Sequence, residues 1–410
     1  MPSVATVDRQ GHVDALTGVR AIAAGWVVAY HLWLNAGHPP LVLPLVHLDV
    51  VPLVTMGWLG VDIFFILSGF VLTWQVLNER RLATFSRASF WHDAGLFLRR
   101  RVLRVYPAYL ACLSVLLPFA WLGIYRTPPA LADVSLHLAM FHNLDMRYVD
   151  SINGVFWSMP FEWQFYLIFP LLILPILQRK TRWLLLGAVG VAVIVKLVSA
   201  WNGPGPERAQ LPWRIDEFVV GMAAAAIAVR SIGSAAMRSR MTWFAAVALI
   251  GGAWIIGSHD PLWWQPGAMP ILRGAWIDIG VASLLIGVCG SSATALSRLL
   301  ASRVMVWLGT ISYSVYLWHV PTLELTHRAL LVHDIALPRL AIVGILIAAI
   351  LGVSALSYYA VERPFHSPTA TLNGRWRNPG LRAMVVGTWI VAIFIIAATM
   401  TVLTSSGAIR

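Results

Sequence analysis

The sequence predicts an all-α, polytopic integral membrane helical bundle of about ten or eleven transmembrane helices, on three observations. Of 410 residues, 59% are hydrophobic and only 12% charged, against about 25% charged in an ordinary soluble domain. The apolar residues gather into stretches of about 16–23 residues, the length a helix needs to cross a hydrocarbon core. The connections between those stretches alternate between rich and poor in Lys and Arg, as the positive-inside rule requires of a chain that crosses repeatedly.

Eleven spans follow in order. The first, at 14–34, carries Arg20 and His31, so it reads as a permanent span and its own insertion signal rather than a cleavable leader. The second, 56–77, contains GWLGVDIFFILSGF, whose Gly57, Gly60 and Gly69 allow close helix approach. The third, 105–125, follows the basic run FLRRRVLRVYP (97–107). The fourth, 155–177, holds WSMPFEWQFY, with Pro160 and Pro170 able to kink it around a cavity. Spans at 183–200, 213–230, 242–257, 271–290, 305–325, 338–360 and 382–403 complete the set.

The formal charge is +12, and its distribution says more than its sum. One set of connections holds Arg9, the arginines at 80, 81, 87, 99, 100, 101 and 104, then Arg179, Lys180 and Arg182, Arg230, Arg238 and Arg240, Arg298 and Arg303, and Arg363, Arg375, Arg377 and Arg382. The opposite set, with the C-terminus, carries 8 basic residues. This predicts a cytoplasmic N-terminus and an outer C-terminus. Topology accounts for the high pI, so no nucleic-acid partner is expected. The two cysteines, Cys112 and Cys289, fall inside spans without metal spacing, and no metal is predicted.

An arginine and a histidine inside the first span are costly in lipid and so point to function. Eleven residues apart, at about 100° per residue, they share one helix face, and a rise of about 1.5 Å per residue sets them about 16 Å apart in depth. Arg20 then lies toward the cytoplasm and His31 near the outer surface. By the same depth argument Glu162, Asp62 and His319 fall in the outer layer with His31. A histidine beside a carboxylate can take a proton from a hydroxyl, the carboxylate fixing the tautomer and stabilising the imidazolium. The bland alternative is that these groups satisfy one another in a wet crevice between helices. Asp62 and His319 read as structural or substrate-binding groups, and Trp157 as a ring that can pack on a sugar. On the cytoplasmic side Arg101 and Arg104 share a helix face, where their guanidinium forks suit the phosphates of an anionic cofactor. The same cluster also reads as a topology anchor or a contact for anionic membrane lipids. No Walker-type glycine loop accompanies it, so nucleotide hydrolysis is not supported.

Assembled, these motifs resemble the membrane-bound acyltransferase-3 family, which includes bacterial O-antigen and lipopolysaccharide O-acetyltransferases. The resemblance rests on the Arg-x10-His pair at 20 and 31, GWLGVDIFFILSGF (57–70), RRRVLRVYP (99–107), WSMPFEWQFY (157–166), RIDEFVVGM (214–222), WLGTISYSVYLWHVP (307–321) and YYAVERPF (358–365), in family order. It implies an O-acyltransferase that takes an acetyl or other short acyl group from cytoplasmic acetyl-CoA or another acyl-CoA. The acceptor would be a hydroxyl of an envelope polysaccharide, oligosaccharide or glycolipid. Carried over by position, Arg20 and His31 match the family's essential pair, Arg101 and Arg104 its Arg-x-x-Arg motif, and Glu162 its fourth-span glutamate. Residues 1–365 would form the acyltransferase membrane domain. Residues 366–410 would add a cytoplasmic connection, one more helix and a short outer tail, without the SGNH esterase-like domain that some members carry, which raises a separate extracytoplasmic transfer protein as a partner. The alternative reading is a proton-coupled transporter, or an acyl-group translocator working with a separate transferase.

Overall fold

A computed structural model describes residues 14–43, 47–78, 89–203, 205–230, 234–259, 269–289, 294–334, 337–366 and 378–405. The architecture is a polytopic helical membrane bundle, and among the described residues nine helical stretches are long and apolar enough to cross a membrane. Arg9, Arg80, Arg81, Arg87, Arg375, Arg377 and Arg410 of the charge pattern lie outside the described residues.

Helix α1 (Asp14–Asn35) is the expected first span. A two-residue hairpin, β1 (Val42–Leu43) with β2 (Leu48–Asp49), pairs Val42 with Asp49 and Leu43 with Leu48. A short α2 (Val51–Thr55) with proline in its first turn leads through a 3-10 turn into α3 (Gly60–Asn78). Helix α4 (Phe90–Trp121) begins well before the third expected span. Hydropathy marks where a helix enters lipid, not where it starts, and arginine is a good helix former. The basic run therefore lies on α4 itself rather than ahead of it. After α5 (Leu131–Ala139) come α6 (Met159–Leu177), α7 (Thr181–Asn202) and α8 (Ile215–Arg230). Pro160 sits in the first turn of α6, where its missing N–H costs nothing, whereas Pro170 and Pro175 are the interior prolines.

Helix α9 (Ala235–Ser258) starts at Ser234, whose hydroxyl accepts from the Met237 N–H, and α10 (Met269–Val288) follows. The expected span at 305–325 is instead two helices, α12 (Arg303–Thr310) and α13 (Ser312–Val332), preceded by a short α11 (Ala295–Leu300). The side chains of Thr294 and Ser302 cap α11 and α12 by accepting backbone N–H groups, each such cap being worth about 1 kcal/mol. Helix α14 (Arg339–Ser357) runs into a π-helical turn at Tyr358–Glu362 and then α15 (Arg363–His366), and α16 (Pro379–Ser405) is the last helix. Two expected spans fall outside the nine. Helix α8 is only 16 residues long, and α13 carries Ser, His, Glu and Arg side chains that lower its hydropathy.

The chain forms two compact units, one of Met1–Ala94 with Gln164–Ser312 and the other of Gly95–Trp163 with Tyr313–Arg410. The first is built on α3 packed along α8. A Cβ added at Gly69 would lie 2.0 Å from the Phe218 carbonyl oxygen, and one at Gly221 would lie 1.9 Å from that of Ile66, so the two backbones touch. In lipid, where apolar burial gives no drive between helices, such small-residue contact is what holds them together. Leu16, Ile66, Phe70, Ala225, Val281 and Leu285 fill the space around this seam, and Phe218 stacks between Phe65 and Phe165 at 4.8 and 4.2 Å.

The second unit is tied by hydrogen bonds from α13. The Tyr313 hydroxyl donates to the Val105 carbonyl on α4 at 2.9 Å, and Asn153 donates to the Leu317 carbonyl at 2.9 Å. Arg126 pairs with Glu324 at 3.2 Å.

Candidate functional site

In the first unit, α1 presents Arg20 and His31. Arg20 Nε donates to the Ser312 hydroxyl at 3.2 Å, which fixes the guanidinium at the start of α13. His31 Nδ1 lies 2.9 Å from the Val27 carbonyl one turn back. A carbonyl can only accept, so Nδ1 carries the proton and Nε2 is the basic nitrogen of the neutral ring. Tyr30 packs edge-on against the imidazole at 5.1 Å. The helix thus delivers a histidine with a set tautomer.

Asp62 is 3% exposed on α3 and accepts from Arg214, which also donates to Glu217 at 2.9 Å. Asp62, expected in the outer layer as a structural or substrate-binding group, has an ion-pair partner 152 positions away.

In the second unit, Glu162 is half-buried in the first turn of α6. The 3-10 turn ahead of it, Phe156–Ser158, is held by side chains of α13. The Tyr316 hydroxyl donates to the Val155 carbonyl at 2.9 Å and accepts from Ser158 at 2.7 Å. Trp157, in that turn, meets Phe161 edge-on. His319 is fully buried on α13, its Nδ1 2.8 Å from the Tyr316 carbonyl and 3.1 Å from that of Val315. Its Nε2 is again the basic nitrogen.

Arg101 and Arg104 sit one turn apart on α4. Arg101 lies over the Phe97 ring at 5.4 Å. Arg104 forms an ion pair with Glu362, fully buried in the π-helical turn, and Glu362 also accepts from Ser314 at 2.9 Å. The ion pair with Glu362 holds the Arg104 guanidinium in place on α4. π-turns are rare and frequently mark functional positions. Sequence reading quoted YYAVERPF as a motif but did not single out Glu362, because its partner is 258 residues away.

The connection between α4 and α6 holds a further polar group. Asp133 accepts from His137 and from Ser151, both at 2.9 Å, and His137 stacks flat on His142 with ring centroids 3.8 Å apart. Burial pulls the His142 imidazole down to about 2, and the neighbouring His137 ring adds to this. The stacked rings join two parts of this connection. No group of three or more His, Cys, Asp and Glu among the described residues could hold a metal ion.

A multi-spanning helical domain whose first helix carries both Arg20 and the tautomer-fixed His31 defines the class. Residues 13–359 match the acyltransferase-3 model, an acyltransferase domain, and the chain belongs to that family. It is 26% identical over 395 residues to a Bacillus subtilis protein provisionally named peptidoglycan O-acetyltransferase YrhL, covering 87% of this chain and 55% of the relative. It is 24% identical over 388 residues to the peptidoglycan O-acetyltransferase OatA of Listeria monocytogenes, covering 86% and 56%. With the O-acetyltransferase OatA of Staphylococcus aureus it shares 25% identity over 395 residues, covering 86% and 57%. The chain therefore spans little more than half the length of these relatives. No solved structure matches it.

Proposed function

We propose that the protein is a bacterial inner-membrane O-acyltransferase that moves an acetyl or other short acyl group from cytoplasmic acyl-CoA to a hydroxyl of a cell-envelope carbohydrate. The observation that carries this reading is His31, whose Nδ1 is committed to the Val27 carbonyl so that Nε2 is the base, on the helix that also bears Arg20, in a chain of the acyltransferase-3 family. The relatives' names make the peptidoglycan glycan strand the first acceptor to test, ahead of lipopolysaccharide or another glycolipid.

In this reading His31 Nε2 takes the proton of the acceptor hydroxyl as its oxygen attacks the thioester carbonyl. The carbon–sulfur bond breaks, the acyl ester forms, and the imidazolium proton balances the departing CoA thiolate. Glu162 orients or stabilises the charged ring, or holds the acceptor, with Trp157, Asp62 and His319 as further acceptor-side groups. Arg101 and Arg104 hold CoA phosphates at the cytoplasmic mouth, with Glu362 positioning Arg104, and Arg20 continues the contact toward the acyl group. The N-terminus is cytoplasmic, the C-terminus outside, and a separate outer transfer protein is an optional partner.

Donor binding tests the cytoplasmic half. Arg101→Lys and Arg104→Lys keep the charge that sets topology but remove the planar fork. Charge-assisted hydrogen bonds contribute about 1.5–3 kcal/mol, so acetyl-CoA affinity, titrated on purified protein in nanodiscs, should fall about tenfold or more in each variant. Unchanged affinity in both would return the cluster to a topology anchor.

A further inference from the structure

The first unit encloses six ionisable side chains from four places in the fold: Asp62 on α3, Lys196 on α7, Arg214, Asp216 and Glu217 at the start of α8, and Asp278 on α10. All four acids are at most 5% exposed and Lys196 is 6% exposed. One nitrogen of Arg214 serves both Asp62 and Glu217, and Lys196 donates to Asp216 at 2.6 Å. Lys196 also lies against α10, since a Cβ at Gly274, one turn before Asp278, would be 3.3 Å from its ammonium. Among the described residues Asp278 forms no ion pair, and its Oδ1, Asp216 Oδ1 and Glu217 Oε2 are buried and accept no hydrogen bond.

The charge count does not close. Four carboxylates face two cations, so full ionisation would bury two negative charges, and a buried unpaired charge costs more than the surrounding ion pairs return. Intramembrane carboxylates escape this by pairing or by protonation, and here the cations are already used. A divalent cation is disfavoured, because the described carboxylates do not converge as ligands. The charged groups facing Asp278 are Asp216, Lys196, Asp62 and Arg214, and those facing Glu217 are Arg214, Asp62, Asp216 and Asp278.

We infer that this cluster is a proton-binding site, carrying one exchangeable proton on Asp278 and a second on Glu217, which among the described residues has only a shared guanidinium nitrogen as its ion-pair partner. The site shares Asp62 with the acyl-transfer reading above but does not rest on that reading. It stores protons in the interior of the helical unit that bears His31.

Infrared difference spectroscopy of the full chain in lipid, stepped from acid to neutral pH, reads it. A protonated-carboxyl carbonyl band that persists at neutral pH and shifts in D2O is expected, about halved in Asp278→Asn, which mimics the neutral acid and should fold. Glu217→Gln should remove a separate part. Absence of the band from the wild-type chain at neutral pH would overturn the site, and that measurement stands if either variant fails to fold. Persistence of the whole band in both variants would also overturn it, as would its replacement by ionised-carboxylate signal on adding sodium, which would mark a cation site instead.

Discussion

His31→Ala is expected to insert and purify like the wild-type chain while losing about 10²–10⁴ in transfer rate, the usual contribution of a positioned general base. The substitution sits at a half-buried point of α1, so little packing is lost, and the ring's contact to the Val27 carbonyl goes with it. The measurement is acetyl turnover by purified enzyme at saturating acetyl-CoA, with donor affinity determined in parallel. A rate loss at unchanged donor affinity supports the role, and wild-type turnover removes it. Glu162→Gln should be milder if the carboxylate only orients the ring, and the double variant should then lose no more than His31→Ala alone, as groups acting as one unit do.

Gly221→Val carries the second large effect, on folding rather than chemistry. Its Cβ would fall 1.9 Å from the Ile66 carbonyl, a collision with backbone that no rotamer change relieves. Overpacking a core side chain costs about 1–3 kcal/mol, and forcing two helix backbones apart along the α3–α8 seam should exceed that. The expected result is loss of monodisperse protein and of a cooperative thermal transition in detergent. Gly187→Val is the control, because a Cβ there has nothing within 4 Å, and it should behave as wild type. A stable, active Gly221→Val protein would show that the seam is not what holds the first unit.

The helical membrane architecture was legible in the sequence because a hydrocarbon core imposes length and polarity on every crossing segment, and those survive in composition alone. Boundaries were less so. The start of α4 at Phe90 was hidden because arginines interrupt hydropathy without interrupting a helix, and the break between α12 and α13 was hidden inside one continuous apolar run. The shared face of Arg20 and His31 followed from helical period. The partners Arg214 for Asp62 and Glu362 for Arg104 did not, since each is made by tertiary packing between residues 152 and 258 positions apart. RIDEFVVGM and YYAVERPF announced themselves as motifs, yet their charged members acquire meaning only once α8 meets α3 and the π-turn meets α4.

The central claim is transfer across the membrane, with donor on one face and acceptor on the other. The extended pantetheine arm of CoA can cover a large part of a core about 30 Å thick, so a protein-lined route past α1 would bring the thioester to the outer half while the nucleotide stays with Arg101 and Arg104. Sealed proteoliposomes of determined orientation test it directly, given acetyl-CoA only on the cytoplasmic face and a glycan acceptor only on the outer face. The account predicts acetylated acceptor outside and free CoA inside. Acetylation only when both substrates share the cytoplasmic compartment would contradict it.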